Sequence, residues 1–170
     1  NTIASAVEDA SNAIRWLEDN ADSYCIDPTR LGLWGGSAGA VISMAVAYAL
    51  DDLLISVNKP DVVIDHWGGL LLSDVMESSD APLFIVHGDV DTTVPYQRAL
   101  DLQLEADSAS VPYAFYTIVG AGHGFSEIPV TEVSVDGLTL QELAGFLMRI
   151  FWVSHPCTRS GLLCLMIASN

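Results

Sequence analysis

Apolar side chains recur every three or four positions over residues 3–20, and most of the acidic side chains lie between them. This spacing predicts an amphipathic helix, because positions three and four apart share one helical face. Three further helices are predicted over residues 38–50, 94–107 and 138–151. Residues 38–50 have almost no polar face, which is typical of a helix that is buried on all sides.

Four short apolar runs, each followed within a few residues by glycine, predict strands over residues 31–34, 62–64, 82–86 and 113–119. Strands that are apolar on both faces and separated by helices predict a parallel sheet that is covered on both sides. The predicted fold class is therefore α/β, with a mostly parallel sheet of about four strands and helices on both faces. Asp27-Pro28 predicts a turn before the first strand, because proline pushes the preceding residue out of the helical region.

The balance of charges narrows the possible partners. The chain has 170 residues, enough for one domain, and its hydrophobic fraction of 51% against 16% charged excludes intrinsic disorder. With 22 acidic residues and only 6 lysines plus arginines, the net charge is -16. Such a chain repels phosphate backbones and anionic lipid, so neither nucleic-acid binding nor electrostatic membrane docking is expected. No uninterrupted apolar run reaches the length of a bilayer, and no integral membrane span is predicted.

A change of composition separates the C-terminal end from the rest. Acidic residues stop after Glu142, and the last residues have no clear period. We predict an α/β core over residues 1–153 and an apolar tail of unknown role over residues 154–170. The three cysteines, Cys25, Cys157 and Cys164, form no C-x-x-C pair, so neither a disulfide framework nor a zinc site is predicted. The sequence also allows one disulfide between two of these cysteines, with the third as a free thiol. It therefore leaves both a cytoplasmic and a secreted location open.

The first candidate for chemistry is a serine between a predicted strand and a predicted helix. Gly35, Gly36, Ser37, Ala38 and Gly39 have the G-x-S-x-G spacing, in which the glycines relieve the crowding of a sharp strand-to-helix turn. Such a turn lifts the serine hydroxyl above the sheet and directs the N–H of the next residue at an oxyanion. Ordinary glycine-rich turns also match the pattern, so it is the strand–turn–helix context that favours a nucleophile.

A serine nucleophile needs a general base, and four histidines are available. His123 is the candidate, because it lies in a glycine-flanked loop just after the last predicted strand, at the carboxyl edge where α/β sheets carry their sites. His66 and His87 end buried strands, which favours structural roles, although His66 also has a position from which it can line the site. His155 lies in the tail, where a solvated side chain is expected.

The imidazole in turn needs a carboxylate that fixes its tautomer. Asp91 is the candidate, from the stretch 87–95 that follows the third predicted strand, and Asp89 is either an exposed loop acid or a helper. Both are also common turn residues. The order Ser37, Asp91, His123 along the chain is that of α/β-hydrolases rather than that of chymotrypsin or subtilisin.

The chain resembles α/β-hydrolases of the hormone-sensitive-lipase-like and feruloyl/acetylxylan-esterase-like carboxylesterase group. The likeness lies in residues 6–21, 26–31, 35–40, 87–95 and 120–125. It implies that Ser37 is the nucleophile, Asp91 the acid and His123 the base. Gly36, Ala38 and Gly39 would form the oxyanion site and the sharp strand-to-helix turn around the serine, which is called the nucleophile elbow. It also implies hydrolysis of carboxylic esters with no metal and no cofactor. Further side chains expected to line the site are His66, Trp67, Asp89 and Phe125.

The chain departs from this family in its first residues and at Cys25, where relatives often have glycine. The family's first strands and its HGGG-type oxyanion loop are expected upstream of residue 1, so the numbering is expected to begin inside a longer chain. The strand over residues 31–34 is therefore expected to be an exposed edge. Either a homo-oligomer or binding of a missing N-terminal segment is expected along that edge.

Three functions remain for this hydrolase core over residues 1–153. The first is a serine carboxylesterase or lipolytic hydrolase acting on small-molecule esters with short acyl chains, since no lid-like apolar insertion separates the elbow from the acid. The second is a weak or inactive hydrolase-fold fragment that acts by association or ligand binding. The third is a serine peptidase of the prolyl-oligopeptidase type. The tail over residues 154–170 is also open to a role as an interfacial anchor for lipid substrates.

Overall fold

The computed structural model describes residues 2–49, 57–125, 134–135, 138–139 and 161–167. Its strands are β1 (Ile26–Gly36), β2 (Val62–His66), β3 (Leu83–Gly88), β4 (Tyr113–Ile118), β5 (Ser134–Val135), β6 (Leu138–Thr139) and β7 (Gly161–Ile167). Its helices are α1 (Thr2–Asp19), α2 (Ala21–Tyr24), α3 (Ala38–Tyr48) and α4 (Gln97–Ala109), and His123–Phe125 form one 3₁₀ turn. Five strands make a parallel sheet in the order β4-β3-β2-β1-β7, and β5 pairs with β6 in a separate antiparallel ribbon.

The sheet is packed on both faces. Alternate residues of the strands, such as Leu33, Val63 and Ile85, join one core cluster with apolar residues of α1, α3 and α4. The other face carries a second cluster: Ile64, Phe84, Val86, Ile118, Ala121 and Phe125. Since α1, α3 and α4 contribute only to the first cluster, helices on both faces stay a prediction. Every residue of β2 and β3 is buried, which explains why these strands are apolar except for Asp65, His66 and His87 near their ends. The predicted α/β class with a parallel sheet is confirmed.

The predicted elements differ from the observed ones mainly at their ends. The helix expected from residue 94 begins at Gln97, because residues 92–96 form turns after β3. The helix expected over residues 138–151 is wrong at its start, where Leu138 and Thr139 pair with β5 in the antiparallel ribbon. The rest of that expected helix lies outside the described residues.

The expected Asp27-Pro28 turn lies inside β1 as a bulge. The pairing of β1 with β7 jumps from Asp27 to Leu31, while β7 advances by only one residue. The Asp27 carboxylate accepts hydrogen bonds from the Thr29 backbone N–H (3.0 Å) and hydroxyl (2.7 Å), which closes the local turn. Just before it, Cys25 ends α2 with φ 55°, a left-handed conformation that favours glycine. The difference at Cys25 therefore falls at a helix cap, at the opposite end of β1 from Ser37.

The edge expected to be exposed is covered by the chain itself. Residues 161–167 run parallel to β1, and residues 163–167 pair with Leu31 through Gly35. The expectation of a bare edge at residues 31–34 is therefore wrong, and the association expected through that edge loses its basis. The apolar character of this part of the tail fits its place in a sheet, where a strand satisfies the backbone groups of its neighbour.

Candidate active site

The structure explains the glycine spacing around Ser37 by close approach of backbones. A Cβ on Gly35 would lie 2.2 Å from the carbonyl carbon of Gly39, and one on Gly36 would lie 3.2 Å from the Trp67 ring. Ser37 itself has φ 53° and ψ -123°, a conformation that costs a non-glycine residue about 1–3 kcal/mol. The Ser37 N–H donates to the His66 carbonyl at 2.9 Å, which ties this strained turn to the end of β2.

The three residues predicted to act together are hydrogen-bonded in sequence. His123 Nε2 lies 2.9 Å from Ser37 Oγ, and His123 Nδ1 lies 2.8 Å from Asp91 Oδ2. Since a carboxylate only accepts, the imidazole carries its proton on Nδ1, and Nε2 is left to accept the Ser37 hydroxyl proton. The Asp91 side chain is fully buried and the His123 side chain is 25% exposed. This arrangement has the geometry of a base-activated serine.

Asp91 is held as an anion by its surroundings. Its Oδ1 accepts the backbone N–H groups of Thr93 (2.8 Å) and Val94 (3.0 Å). Burial alone would raise the pKa of Asp91, but the hydrogen bond from His123 and the two amides outweigh it and leave the pKa below its ordinary value. A charged carboxylate is therefore present beside His123 at neutral pH.

The other described histidines have structural surroundings. His87 is fully buried, and its Nε2–H donates to the Val94 carbonyl at 2.9 Å while lying 3.4 Å from Asp91 Oδ2. Burial lowers the pKa of His87, so the ring is neutral. His66 Nδ1 accepts the indole N–H of Trp34 at 3.3 Å, and burial lowers the pKa of His66 to about 4. The structural role predicted for His87 agrees with these contacts, and His155 lies outside the described residues.

An aromatic cluster lies beside the elbow. The Trp67 ring packs against Phe125 (centroids 4.5 Å apart), His66 (5.2 Å) and, edge-on, His123 (6.4 Å). Trp67 is half-buried, whereas His66 and Phe125 are buried. Of the six non-glycine residues with positive φ in the described part of the chain, Ser37, Trp67 and Phe125 meet here. Strained backbone of this kind concentrates at functional sites, so Trp67 is the expected lining residue with the best access to a substrate.

Asp65 is a residue of this region that the sequence did not single out. It is fully buried at the end of β2, and its Oδ1 accepts the Gly68 N–H at 2.9 Å. A Cβ on Gly68 would lie 2.4 Å from Asp65 Oδ1 and 2.5 Å from Ala40 Cβ, so the turn that carries Trp67 is tightly packed against α3. An acidic residue directly after the apolar run of residues 62–64 is the sequence signal that could have identified it.

Burial raises the pKa of Asp65 from its ordinary 3.8 to about 7. In that interval the folded chain keeps a proton that the unfolded chain releases, so this group makes the free energy of unfolding decrease as the pH rises from about 4 to about 7. Asp65→Asn keeps the acceptor for Gly68 and removes the ionisation. The free energy of unfolding of the variant minus that of wild type is expected to be about 3 kcal/mol larger at pH 8 than at pH 5.

Urea unfolding of both proteins at pH 5 and pH 8 measures this difference. The lowered pKa of His66 increases the free energy of unfolding as the pH rises from about 4 to 6.5, which is opposite to the effect of Asp65. Because both proteins contain His66, the difference between them removes this contribution. An equal stability difference at the two pH values would contradict a buried, protonated Asp65.

Asp89 and one cavity of the fold take no part in the contacts among Ser37, His123 and Asp91. Asp89 is exposed and contacts Gly120 rather than Ser37. A cavity of about 690 Å³ lies between residues 70–76 and α4, and Ser37, Asp91 and His123 do not line it.

Within the described ranges, no group of three or more His, Cys, Asp or Glu side chains has the arrangement of a metal site. No helix among the described residues combines the length and apolarity needed to cross a membrane.

Comparisons with known proteins agree with this architecture. Residues 1–65 match the family model BD-FAE. An uncharacterised protein of Mycobacterium tuberculosis is 24% identical over 148 residues, 76% of this chain and 50% of its own length. Arylacetamide deacetylase of Bos taurus is 35% identical over 78 residues, 45% of this chain and 18% of its own. The chain thus spans half or less of these relatives.

Among solved structures, esterase 2 of Thermogutta terrifontis phosphoramylated by tabun superposes with a TM-score of 0.71 and 25% identity. The match covers 91% of this chain and 67% of that one. The same esterase has also been solved with propionate and with butyrate bound. The parallel sheet and these likenesses show that the chain has an α/β-hydrolase-type fold.

Proposed function

We propose that the chain is a serine carboxylesterase that cleaves carboxylic esters through a Ser37–His123–Asp91 triad. The observation that carries the proposal is the unbroken hydrogen-bonded path from Ser37 Oγ through the His123 imidazole to the buried Asp91 carboxylate. The strain at Ser37 and the fixed tautomer of His123 support it, because both serve the nucleophilic attack of a hydroxyl on a carbonyl.

The proposed reaction proceeds through an acyl-enzyme. As the bond from Ser37 Oγ to the ester carbonyl forms, the hydroxyl proton passes to His123 Nε2. The tetrahedral intermediate then collapses, and His123 returns the proton to the leaving alcohol. Water attacks the acyl group with His123 again as base, which releases the acid and restores Ser37.

Asp91 orients His123 and stabilises the imidazolium at each step. The oxyanion is proposed to accept a hydrogen bond from Ala38 N–H. Ala38 is exposed and is the first residue of α3, where amides have no partner within the helix. Gly36 and Gly39 serve this site by allowing the turn.

The proposed substrates are small esters with short acyl chains. Residues 67–82, between β2 and β3, contain no helix or strand that would form a lid over Ser37. The propionate- and butyrate-bound forms of the Thermogutta esterase are consistent with this choice. No metal or cofactor has a step in this mechanism.

Labelling by a fluorophosphonate probe tests the proposed function, because only an activated serine reacts quickly with it. We expect one adduct, located on Ser37 by peptide mass analysis, formed by the folded protein and not after heat denaturation. Loss of hydrolysis of p-nitrophenyl butyrate should parallel labelling. Absence of both labelling and turnover would contradict the esterase and favour a fragment that acts by association or ligand binding.

A further inference from the structure

The loop that carries His123 begins at Val119 and Gly120, two residues with little packing of their own. Val119 is 80% exposed, and a Cβ added to Gly120 would meet nothing within 4 Å. Gly120 also has φ 77°, a conformation open mainly to glycine. This start of the loop therefore depends on hydrogen bonds for its course, while Ala121 and Phe125 further along are buried. The loop as a whole must keep His123 within hydrogen-bond distance of two partners.

The contacts that hold it come from the residues just before Asp91. Asp89 Oδ1 accepts the Gly120 N–H at 2.6 Å, and the Val90 N–H donates to the Ala121 carbonyl at 3.2 Å. Gly88 lies so close that a Cβ there would be 2.1 Å from the Ala121 carbonyl oxygen. The loop after β3, which carries Asp91, is thus joined side by side with the histidine loop, residues 119–125 after β4. Asp89 contributes its side chain to the contact between them.

The hydrogen bond between Asp89 and Gly120 lies close along the chain to both Asp91 and His123. Asp89 stands two residues before Asp91, and Gly120 stands three residues before His123. The bond between Asp89 and Gly120 therefore fixes the two loops relative to each other immediately beside the 2.8 Å contact of His123 Nδ1 with Asp91 Oδ2. Hydrogen bonds with a charged acceptor are shorter and stronger than neutral ones, so a carboxylate suits this task.

We propose that Asp89 is a positioning residue, whose carboxylate holds the Gly120 amide and thereby keeps His123 aligned between Asp91 and Ser37. Asp89 acts through the loop and touches neither the substrate nor the reacting atoms. This inference rests on the proposed function, since it concerns the alignment of its general base. It replaces the expectation that Asp89 lines the site.

Asp89→Ala, Asp89→Asn and the control Asp107→Ala test the proposal in the full chain. Asp107 is an exposed acid on α4, so its substitution removes the same charge far from the histidine loop. We expect Asp89→Ala to lower kcat on p-nitrophenyl butyrate about tenfold, because small misalignments of reacting groups are costly. KM and Tm should match those of Asp107→Ala. Asp89→Asn keeps an oxygen acceptor for Gly120 and should recover most of the lost kcat.

Two measurements do not depend on turnover. Amide hydrogen exchange at Gly120 should be faster in Asp89→Ala than in Asp107→Ala. The downfield proton resonance of His123 Nδ1–H should weaken or shift only in Asp89→Ala. If wild type shows no turnover dependent on Ser37, the proposed function fails, and these two signals still decide the role of Asp89.

The proposal would be overturned by equal kcat values for Asp89→Ala and Asp107→Ala in an active enzyme. Equal Gly120 exchange and equal His123 signals in these two variants would overturn it in any case. A lowered Tm of Asp89→Ala, with exchange raised throughout the sheet, would also overturn it, because it would indicate a general structural role.

Discussion

Ser37→Ala is expected to lower kcat for p-nitrophenyl butyrate about 10⁴- to 10⁶-fold, to the background rate of the protein. The variant removes the atom that would form the acyl bond and leaves His123 without a hydroxyl to deprotonate. Alanine accepts the strained conformation at φ 53° no worse than serine does, so the elbow should persist. The measurement is steady-state kinetics, with the Tm of both proteins as a check of folding.

Ser108→Ala is the matched control, because Ser108 is an exposed serine of α4 and loses the same hydroxyl. It should hydrolyse the ester at the rate of wild type. Retention of turnover by Ser37→Ala to within tenfold of wild type would show that another group performs the reaction, and the proposed mechanism would then be abandoned.

Asp91→Asn is expected to lower kcat about 10⁴-fold with little change in KM. The reason lies in the two different environments of the carboxylate oxygens. Oδ1 accepts two backbone N–H groups, a position that an NH₂ group cannot fill, so the asparagine carbonyl must take it. The amide nitrogen then faces His123 Nδ1, which lies 2.8 Å from the present Oδ2.

An NH₂ group in that position would donate to His123 Nδ1 and force the ring proton onto Nε2. The imidazole would then have no free nitrogen to accept the Ser37 proton, although all three side chains would keep their places. Asp107→Asn makes the same chemical change at an exposed site on α4 and should keep full activity. A loss of kcat below tenfold in Asp91→Asn would contradict the role of Asp91 in fixing the tautomer.

Local chemistry made part of the site predictable from the sequence. The elbow depends on five consecutive residues, and its glycine spacing follows from the approach of Gly35 to Gly39 that any such turn requires. Asp91 and His123 were predicted because residues that follow parallel strands meet at one sheet edge. The aromatic cluster was predicted only as a set of lining residues, since ring contacts such as Trp67 with Phe125 join separate loops.

Contacts between distant segments account for what the sequence did not predict. Nothing local in residues 161–167 specifies pairing with β1, because a parallel pair depends on which edge a distant strand meets. Asp65 was missed since its effect arises from complete burial, which only packing creates.

Hydrophobic periodicity and the glycine-flanked serine thus determined the α/β class and the place of the candidate nucleophile, because both depend on neighbouring residues. Tertiary structure alone decided the distances among Ser37, His123 and Asp91, the covered edge of β1, and the bond from Asp89 to Gly120. Each of these joins groups that are far apart in the chain, and their separation is set by the packing of the whole sheet.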